Sequence, residues 1–124
     1  MVLKATKLNT DPPETYAVKK INLKKLDEHE LKTIQSEVKA LEEIDHPSVV
    51  KLYDLFLDGN GDYLYMVLEY MGGGTLRDRL YEERKRKHTL SEDEIFNIIS
   101  PIVEGMEYCH SIGIVHRDLK VTKC

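Results

Sequence analysis

The residues of this sequence that could do chemistry lie in separate groups, and the first group pairs a lysine with a later glutamate. Lys19 ends the run Ala17-Val18-Lys19, and Glu37 follows in a stretch with helical spacing. An ammonium at the end of a strand can reach phosphate oxygens, and a helix carboxylate can hold it in place by an ion pair. Taken one at a time, each residue is more simply a solvated surface charge.

Two further groups come later in the chain. Residues 66–71 form an apolar run just before three glycines, where backbone groups would be exposed at a crevice between two lobes. Asp118 lies in a His-Arg-Asp-Leu-Lys run at residues 116–120, after a helical stretch, so a loop could present its carboxylate as a proton acceptor. We expect His116 to pack against other side chains rather than to act as an acid or base.

The first half of the chain must position the lysine and the glutamate, and its pattern predicts a small antiparallel sheet with one helix. Residues 2–7 and 16–23 are expected to form one hairpin, and residues 49–57 and 63–70 another. Between the hairpins, apolar residues recur every three or four positions, which predicts a helix that ends at His46-Pro47. These apolar residues are Leu31, Ile34, Val38, Leu41 and Ile44.

The second half of the chain is predicted to be mainly helical. Thr75 with Asp78, and Ser91 with Glu94, match the capping box that begins a helix. Residues 81–88 are highly charged, and we expect a solvated connection there rather than a nuclear-localisation signal. A long amphipathic helix should follow and end near Gly113, before a strand-like pair at residues 114–115. The predicted fold class is therefore α+β.

Taken in order, these groups resemble the catalytic domain of protein kinases of the serine/threonine type. The resemblance implies a partial kinase-like fold. Residues 1–70 would be the N-lobe without its first strand and glycine-rich loop, and residues 71–124 the hinge end and the start of the C-lobe. The complete domain would transfer the γ-phosphoryl group of ATP to a protein serine or threonine. The matching residues are Ala17-Val18-Lys19, Glu37, His46-Pro47, Leu68-Glu69-Tyr70 and His116-Arg117-Asp118-Leu119-Lys120.

The resemblance also implies a role for each site residue. Lys19 would contact the α- and β-phosphates of ATP while paired with Glu37. Asp118 would accept the proton of the substrate hydroxyl, Lys120 would steady the γ-phosphate, and Arg117 would bind a phosphorylated activation loop. The adenine would contact residues of the sheet and the hinge, namely Val2, Ala17, Leu68, Glu69 and Met71.

The sequence departs from the family pattern near both ends. The glycine-rich loop that covers the phosphates would lie upstream of Met1, and Lys123 stands where the pattern has an asparagine that binds Mg²⁺. The complete domain is expected to use ATP and Mg²⁺, but the Mg²⁺ ligands of the pattern are not found in this chain. We therefore expect these 124 residues to be inactive by themselves.

Composition argues against some classes of binding partner, and one alternative to a kinase fragment stays open. The chain has 41% hydrophobic and 32% charged residues and a formal net charge of −4, which argues against a nucleic-acid binder. There is no membrane-length apolar run and no disulfide framework, so we expect a cytoplasmic protein, with the nucleus also open. The alternative to a kinase fragment is a short inactive protein that binds other kinase chains through the apolar face of its long helix.

Overall fold

The structure, a computed structural model, describes residues 1–116 and 118–122. An antiparallel sheet with one helix is followed by two more helices, which confirms the predicted α+β class. The strands are β1 Val2–Thr6, β2 Thr15–Asn22, β3 Leu52–Leu57 and β4 Tyr63–Glu69. The helices are α1 Glu28–Glu43, α2 Leu76–Lys85 and α3 Glu92–Ser111, and a short 3-10 helix spans Leu23–Lys25.

The chain divides into two compact units. The first consists of Met1–Asp45 and Val49–Met71 and contains the sheet and α1. The second consists of His46–Ser48 and the residues from Gly72 onward, and it contains α2 and α3.

The sheet has the strand order β1-β2-β4-β3, with antiparallel pairing throughout. Lys19 on β2 lies opposite Val2 on β1 and opposite Met66 on β4. Directly opposed residues point to the same face of an antiparallel sheet, so these three side chains share one face. Met66 is the largest fully buried side chain, with 0% of its surface exposed, and it marks the centre of the first unit.

Helix α1 begins three residues before the apolar pattern does, and a capping box explains the difference. The Asp27 side chain accepts a hydrogen bond from the Glu30 amide at 2.8 Å, and the Glu30 carboxylate accepts one from the Asp27 amide at 2.9 Å. Each carboxylate thereby satisfies a backbone donor that the helix itself leaves without a partner. The Asp-x-x-Glu spacing marks this start in the sequence, whereas apolar spacing alone does not.

The second hairpin differs from its prediction at the start of β3. The strand begins at Leu52 rather than at residue 49, and its pairing with β4 shifts register between Leu52 and Asp54. Two residues of β3 therefore face one of β4, which is a β-bulge. The predicted turn is present: Gly61 has φ +73°, and the Asp58 carboxylate accepts from the amide of Tyr63 at 2.9 Å.

The charged segment at residues 81–88 was predicted to be a connection, and this is wrong for most of its length. Helix α2 continues to Lys85, after starting at the capping box of Thr75 and Asp78. Glutamate, arginine and lysine are good helix formers, so a run of charges does not end a helix. Arg84 and Lys85 in the last turn also carry positive charge toward the negative end of the helix dipole.

Helix α3 confirms the predicted start and end. Ser91 and Glu94 form its capping box, and the helix contains Pro101. At its end, the Gly113 amide donates to the His110 carbonyl at 3.0 Å and the Ile114 amide to the Cys109 carbonyl at 2.8 Å. Gly113 has φ +79°, so this is a Schellman motif, which needs a left-handed residue after the helix.

The residues after α3 differ from the prediction, because residues 114–115 do not form a strand. A strand requires a hydrogen-bonded neighbour, and the described strands pair only with one another. Several apolar side chains of α3 are exposed within the second unit. These are Ile95, Phe96, Ile99 and Val103, at 47%, 68%, 46% and 57% exposure.

Candidate active site

The predicted lysine–glutamate pair is present in the first unit. The ammonium Nζ of Lys19 lies 2.7 Å from Oε1 of Glu37 and donates a hydrogen bond to it. Lys19 points to the inner face of the sheet because it alternates with Val18 and Lys20 along β2. Helix α1 brings Glu37 to the same face, so two residues far apart in sequence form one ion pair.

Exposure shows that this ion pair is available to a third group. The Lys19 side chain is 33% exposed and the Glu37 side chain 44% exposed. A pair so accessible to water contributes only about 0–1 kcal/mol to stability. The ammonium retains donors beyond the one that Glu37 uses, so it can also bind an anion such as a phosphate.

Lys20, the next residue, shows how strongly the strand separates the two faces. Its Nζ lies 4.0 Å from the centroid of the Tyr63 ring and 5.4 Å from that of Tyr65, on the opposite side of the sheet. A hydrogen bond to the Tyr65 side chain is the main reason why the pKa of Lys20 is raised above its usual value. Lys20 is thus matched to Lys19 in type and strand but has aromatic partners in place of a carboxylate.

The sheet residues predicted to contact adenine share the face of Lys19. Ala17 lies two residues before Lys19 on β2 and directly opposite Leu68 on β4. Val2 lies directly opposite Lys19 on β1 and is 65% exposed. The register therefore places Val2, Ala17 and Leu68 on one side of the sheet together with the ammonium group.

The two remaining residues predicted to contact adenine lie at the end of β4. The Glu69 amide donates to the Lys51 carbonyl at 2.9 Å, and the Glu69 carboxylate accepts from the Lys51 amide at 3.3 Å. The amide of Glu69 is therefore committed to the sheet. Met71 follows β4 and is 51% exposed. The sequence pattern did not identify Lys51, since it acts through its backbone and its side-chain type carries no signal.

The loop after α3 places Asp118 and Lys120 together in the second unit. Nζ of Lys120 lies 3.4 Å from Oδ1 of Asp118, and both side chains are about half exposed, at 52% and 55%. A carboxylate that can accept a proton and an ammonium that can bind a phosphate therefore lie side by side. The structure thus brings the two residues together, and their catalytic roles stay a prediction.

Two fixed points hold this loop within the second unit. On one side, the Schellman motif at Gly113 sets the direction in which the chain leaves α3. On the other side, the Val121 carbonyl accepts from the Arg77 amide at 2.9 Å. Arg77 lies in the first turn of α2, where amides lack partners within the helix, so the loop supplies one.

His116 was predicted to pack, but the structure shows an exposed ring that orders the loop backbone. Its Nδ1 accepts from the Asp118 amide at 3.2 Å, and its carbonyl accepts from the same amide at 2.9 Å. The ring is turned toward the loop rather than into a core. The roles predicted for Arg117 and Lys123 fall outside the described residues.

The start of α3 yields a testable prediction about stability. Oγ of Ser91 accepts from the Glu94 amide at 3.3 Å, so Ser91→Ala should lower the unfolding free energy by about 1 kcal/mol. Urea unfolding followed by circular dichroism would measure the change. Thr89→Ala is the matched control, because the Thr89 hydroxyl makes no hydrogen bond to any described residue. Equal effects of the two substitutions would contradict the capping role.

The stability that this cap contributes depends on pH. The Ser91 amide and then the Ser91 hydroxyl bind the Glu94 carboxylate and lower its pKa below the usual 4.5. A carboxylate with a depressed pKa stabilises the fold above its unfolded-state pKa, and this stabilisation is lost as the pH falls through the folded-state value. The effect of Glu94→Gln on the urea midpoint should therefore be full at neutral pH and shrink below pH 4.5.

The described part of the chain contains neither a cluster of potential metal ligands nor a membrane-length apolar helix. Among residues 1–116 and 118–122, no three His, Cys, Asp or Glu side chains come together as a group that could hold a metal ion. In the same residues, no helix is both long enough and apolar enough to cross a membrane.

The fold and the site together define the class of protein. A sheet lysine held by a helix glutamate in one unit, and an aspartate–lysine loop in the other, are components of a phosphoryl-transferring kinase domain. The family described as "Protein kinase domain" matches residues 1–122. The chain belongs to the protein kinase domain family, which confirms the predicted resemblance.

Several curated proteins are similar to this chain. Myosin light chain kinase A of Dictyostelium discoideum is 36% identical over 112 residues, which cover 90% of this chain and 36% of that protein. Calcium-dependent protein kinase 5 of Plasmodium falciparum is 35% identical over 119 residues, which cover 96% of this chain and 19% of that protein. Probable serine/threonine-protein kinase MARK-A of Dictyostelium discoideum is 36% identical over 109 residues, which cover 88% of this chain and 10% of that protein.

These relatives confirm the predicted serine/threonine branch of the family. They also show that the chain spans only a limited part of their length: 36% of the first relative, 19% of the second and 10% of the third. The activity, substrates and partners of a whole kinase are therefore matters for proposal.

Proposed function

We propose that this chain forms part of the nucleotide-binding apparatus and part of the catalytic apparatus of a serine/threonine protein kinase. The reaction is the transfer of the γ-phosphoryl group of ATP to a serine or threonine hydroxyl of a protein. The observation that carries this proposal is the 2.7 Å pair of Lys19 and Glu37. Since so exposed a pair adds little to stability, its geometry is better explained by the positioning of a cation for phosphates.

Lys19 and its neighbours on the sheet fit ATP by their chemistry. The Lys19 ammonium would contact the α- and β-phosphates while Glu37 fixes its position. Val2, Ala17 and Leu68 offer apolar surface on the same sheet face, which suits the flat adenine ring. Since the Glu69 amide already binds the Lys51 carbonyl, we assign the contact of Glu69 with the adenine edge to its carbonyl, with Met71 contributing its backbone.

Asp118 and Lys120 fit the transfer step. The Asp118 carboxylate would accept the hydroxyl proton as the substrate oxygen bonds to the γ-phosphorus and the bond to the bridging oxygen of ADP breaks. Lys120 would balance charge on the transferred group from its place 3.4 Å from Asp118. A lysine two residues after this aspartate resembles the serine/threonine branch.

The residues of this chain fit Mg²⁺ less well than they fit ATP, because they offer few ligands for a metal ion. When bound in a complete kinase domain, Mg²⁺ neutralises charge on the phosphates. Lys123 stands in the sequence where the family pattern has a metal-binding asparagine, and a cation there opposes Mg²⁺. We derive no step through the metal, and the inactivity expected of these residues by themselves stays a prediction.

The partners follow from the same reaction. They are ATP and a protein that presents a serine or threonine hydroxyl. We place the protein in the cytoplasm, with the nucleus also open. The support for this location is the family to which the chain belongs and a cysteine content that offers no disulfide framework.

Calorimetric titration of the chain with ATP and with adenosine tests the nucleotide site. One charge-assisted contact from Lys19 is worth about 1.5–3 kcal/mol, so ATP should bind at least about tenfold more tightly than adenosine. The preference should weaken as salt is added, since Lys19 is partly exposed. Equal affinities, or no binding of ATP at all, would refute the proposed site.

A further inference from the structure

A run of four cations in the second unit has no part in the kinase chemistry. Arg84 and Lys85 lie in the last turn of α2, Arg86 caps the helix, and Lys87 follows. All four side chains are exposed, and none makes an ion pair with a residue that the structure describes. Their charges are therefore free to bind an acidic partner.

Thr89 follows this run and is accessible. It lies among residues 88–90, which have no helix or strand, and its side chain is exposed. Its hydroxyl makes no hydrogen bond to any described residue. Ser91 differs, because its hydroxyl donates to Oε2 of Glu94 at 3.0 Å and accepts from the Glu94 amide at 3.3 Å. Of these two hydroxyls, only that of Thr89 can react without breaking a helix cap.

The backbone of the residues just before Thr89 can change to an extended conformation. Lys87 has φ +56°, in the left-handed region that residues with a side chain seldom adopt. The His88 amide donates to the Glu83 carbonyl at 3.0 Å, and Nδ1 of His88 lies 2.8 Å from the Glu83 carboxylate. Nε2 of His88 also lies 3.9 Å from Oε2 of Glu94. Residues 86–89 are all exposed, so extending them breaks only these contacts of His88 and local backbone hydrogen bonds, and it relieves the strain at Lys87.

We propose that Thr89 is a phosphorylation site for a serine/threonine kinase that recognises arginine upstream of its acceptor. Arg86 precedes Thr89 by three residues and Arg84 by five. The guanidinium group binds a carboxylate through two parallel hydrogen bonds, which a lysine cannot reproduce. An enzyme with acidic side chains in its substrate groove would therefore bind the two arginines and reach the Thr89 hydroxyl in the extended segment.

In the reaction, the hydroxyl oxygen of Thr89 bonds to the γ-phosphorus of ATP and the bond to the bridging oxygen breaks. ADP leaves, and the hydroxyl proton passes to the base of the modifying kinase. The phosphate adds a charge of about −1.5 to −2 beside the four cations and offsets up to about half of their positive charge. Here the chain is the substrate of another enzyme, so the inference is independent of whether the chain binds ATP.

The test incubates the full chain with ATP and the catalytic subunit of cyclic-AMP-dependent protein kinase as an arginine-directed probe. Intact-mass analysis and fragmentation locate the phosphate. We expect one phosphate on Thr89 and none in Thr89→Val. Arg84→Gln/Arg86→Gln should slow its incorporation by about tenfold or more, as expected for the loss of charge-assisted pairs.

The matched control, Lys85→Gln/Lys87→Gln, removes the same charge from the same run and should leave the rate within about twofold, a difference of under 0.5 kcal/mol in free energy. Equal slowing in both double variants would overturn the inference, since attraction by net charge would then be sufficient. So would a phosphate on Ser91, or one that persists in Thr89→Val. Circular dichroism of each variant verifies that α2 and α3 are retained.

Discussion

Replacing Met66 with alanine is expected to lower the unfolding free energy by about 2–5 kcal/mol, the range measured when large buried side chains are truncated. Met66 has 0% of its surface exposed and lies between Lys19 and Leu55 in the sheet register. Few other side chains among residues 1–116 and 118–122 are buried: Ile44, Leu64 and Cys109 are 8–9% exposed. A chain with so small a core has little to replace what Met66 contributes.

Urea denaturation followed by circular dichroism would measure this loss, and the midpoint should fall by roughly 1–3 M. Met71→Ala is the matched control, because it removes the same side chain from a site that is 51% exposed, where a change within about 0.5 kcal/mol is expected. Met66→Leu keeps the volume and should cost less than about 1.5 kcal/mol. If Met66→Ala were no worse than Met71→Ala, the core of the first unit would not lie at Met66.

The fold was predictable where a local pattern was sufficient. Apolar spacing found α1, and capping boxes found the starts of α2 and α3. The errors arose where structure depends on partners distant in sequence. Residues 114–115 have the composition of a strand but no strand neighbour in the described structure, and the bulge after Leu52 reflects the register with β4. Composition is also a poor guide at the end of α2, because a highly charged segment can be a regular helix.

The candidate site also has features that the sequence predicts and features that it does not. Residue types made an ion pair of Lys19 and Glu37 possible, and the family resemblance turned it into a prediction. Their separation in sequence does not itself indicate contact until β2 and α1 are placed. The register of the sheet then determines which side chains accompany Lys19 on its face. Asp118 and Lys120 were predicted only as separate site residues, and their 3.4 Å contact is a finding of the structure. The role of the His116 ring was missed, because a loop hydrogen bond to a backbone amide leaves no trace in residue spacing.

Removal of the Lys19 ammonium is expected to have the largest effect on nucleotide binding. In Lys19→Met, the loss of a charge-assisted contact worth about 1.5–3 kcal/mol should weaken ATP binding by roughly 10- to 150-fold. Adenosine binding should be nearly unchanged, because adenosine has no phosphate for Lys19 to contact. Glu37→Gln should weaken ATP binding less, because the ammonium remains but its 2.7 Å anchor becomes neutral. Titration calorimetry of both ligands would measure these differences.

Lys20→Met is the control that the sheet provides. Lys20 is adjacent in sequence, but its ammonium lies over Tyr63 and Tyr65 on the other face, so its loss should change ATP affinity by no more than about twofold. Neither lysine substitution should lower the unfolding free energy by more than about 1 kcal/mol, because the groups are solvated. Equal losses of ATP affinity in the two variants would mean that net charge, rather than the Lys19–Glu37 geometry, attracts the nucleotide. A selective loss in Lys19→Met, with adenosine binding intact, would place the phosphates at the inner face of the sheet, where α1 holds the lysine in position.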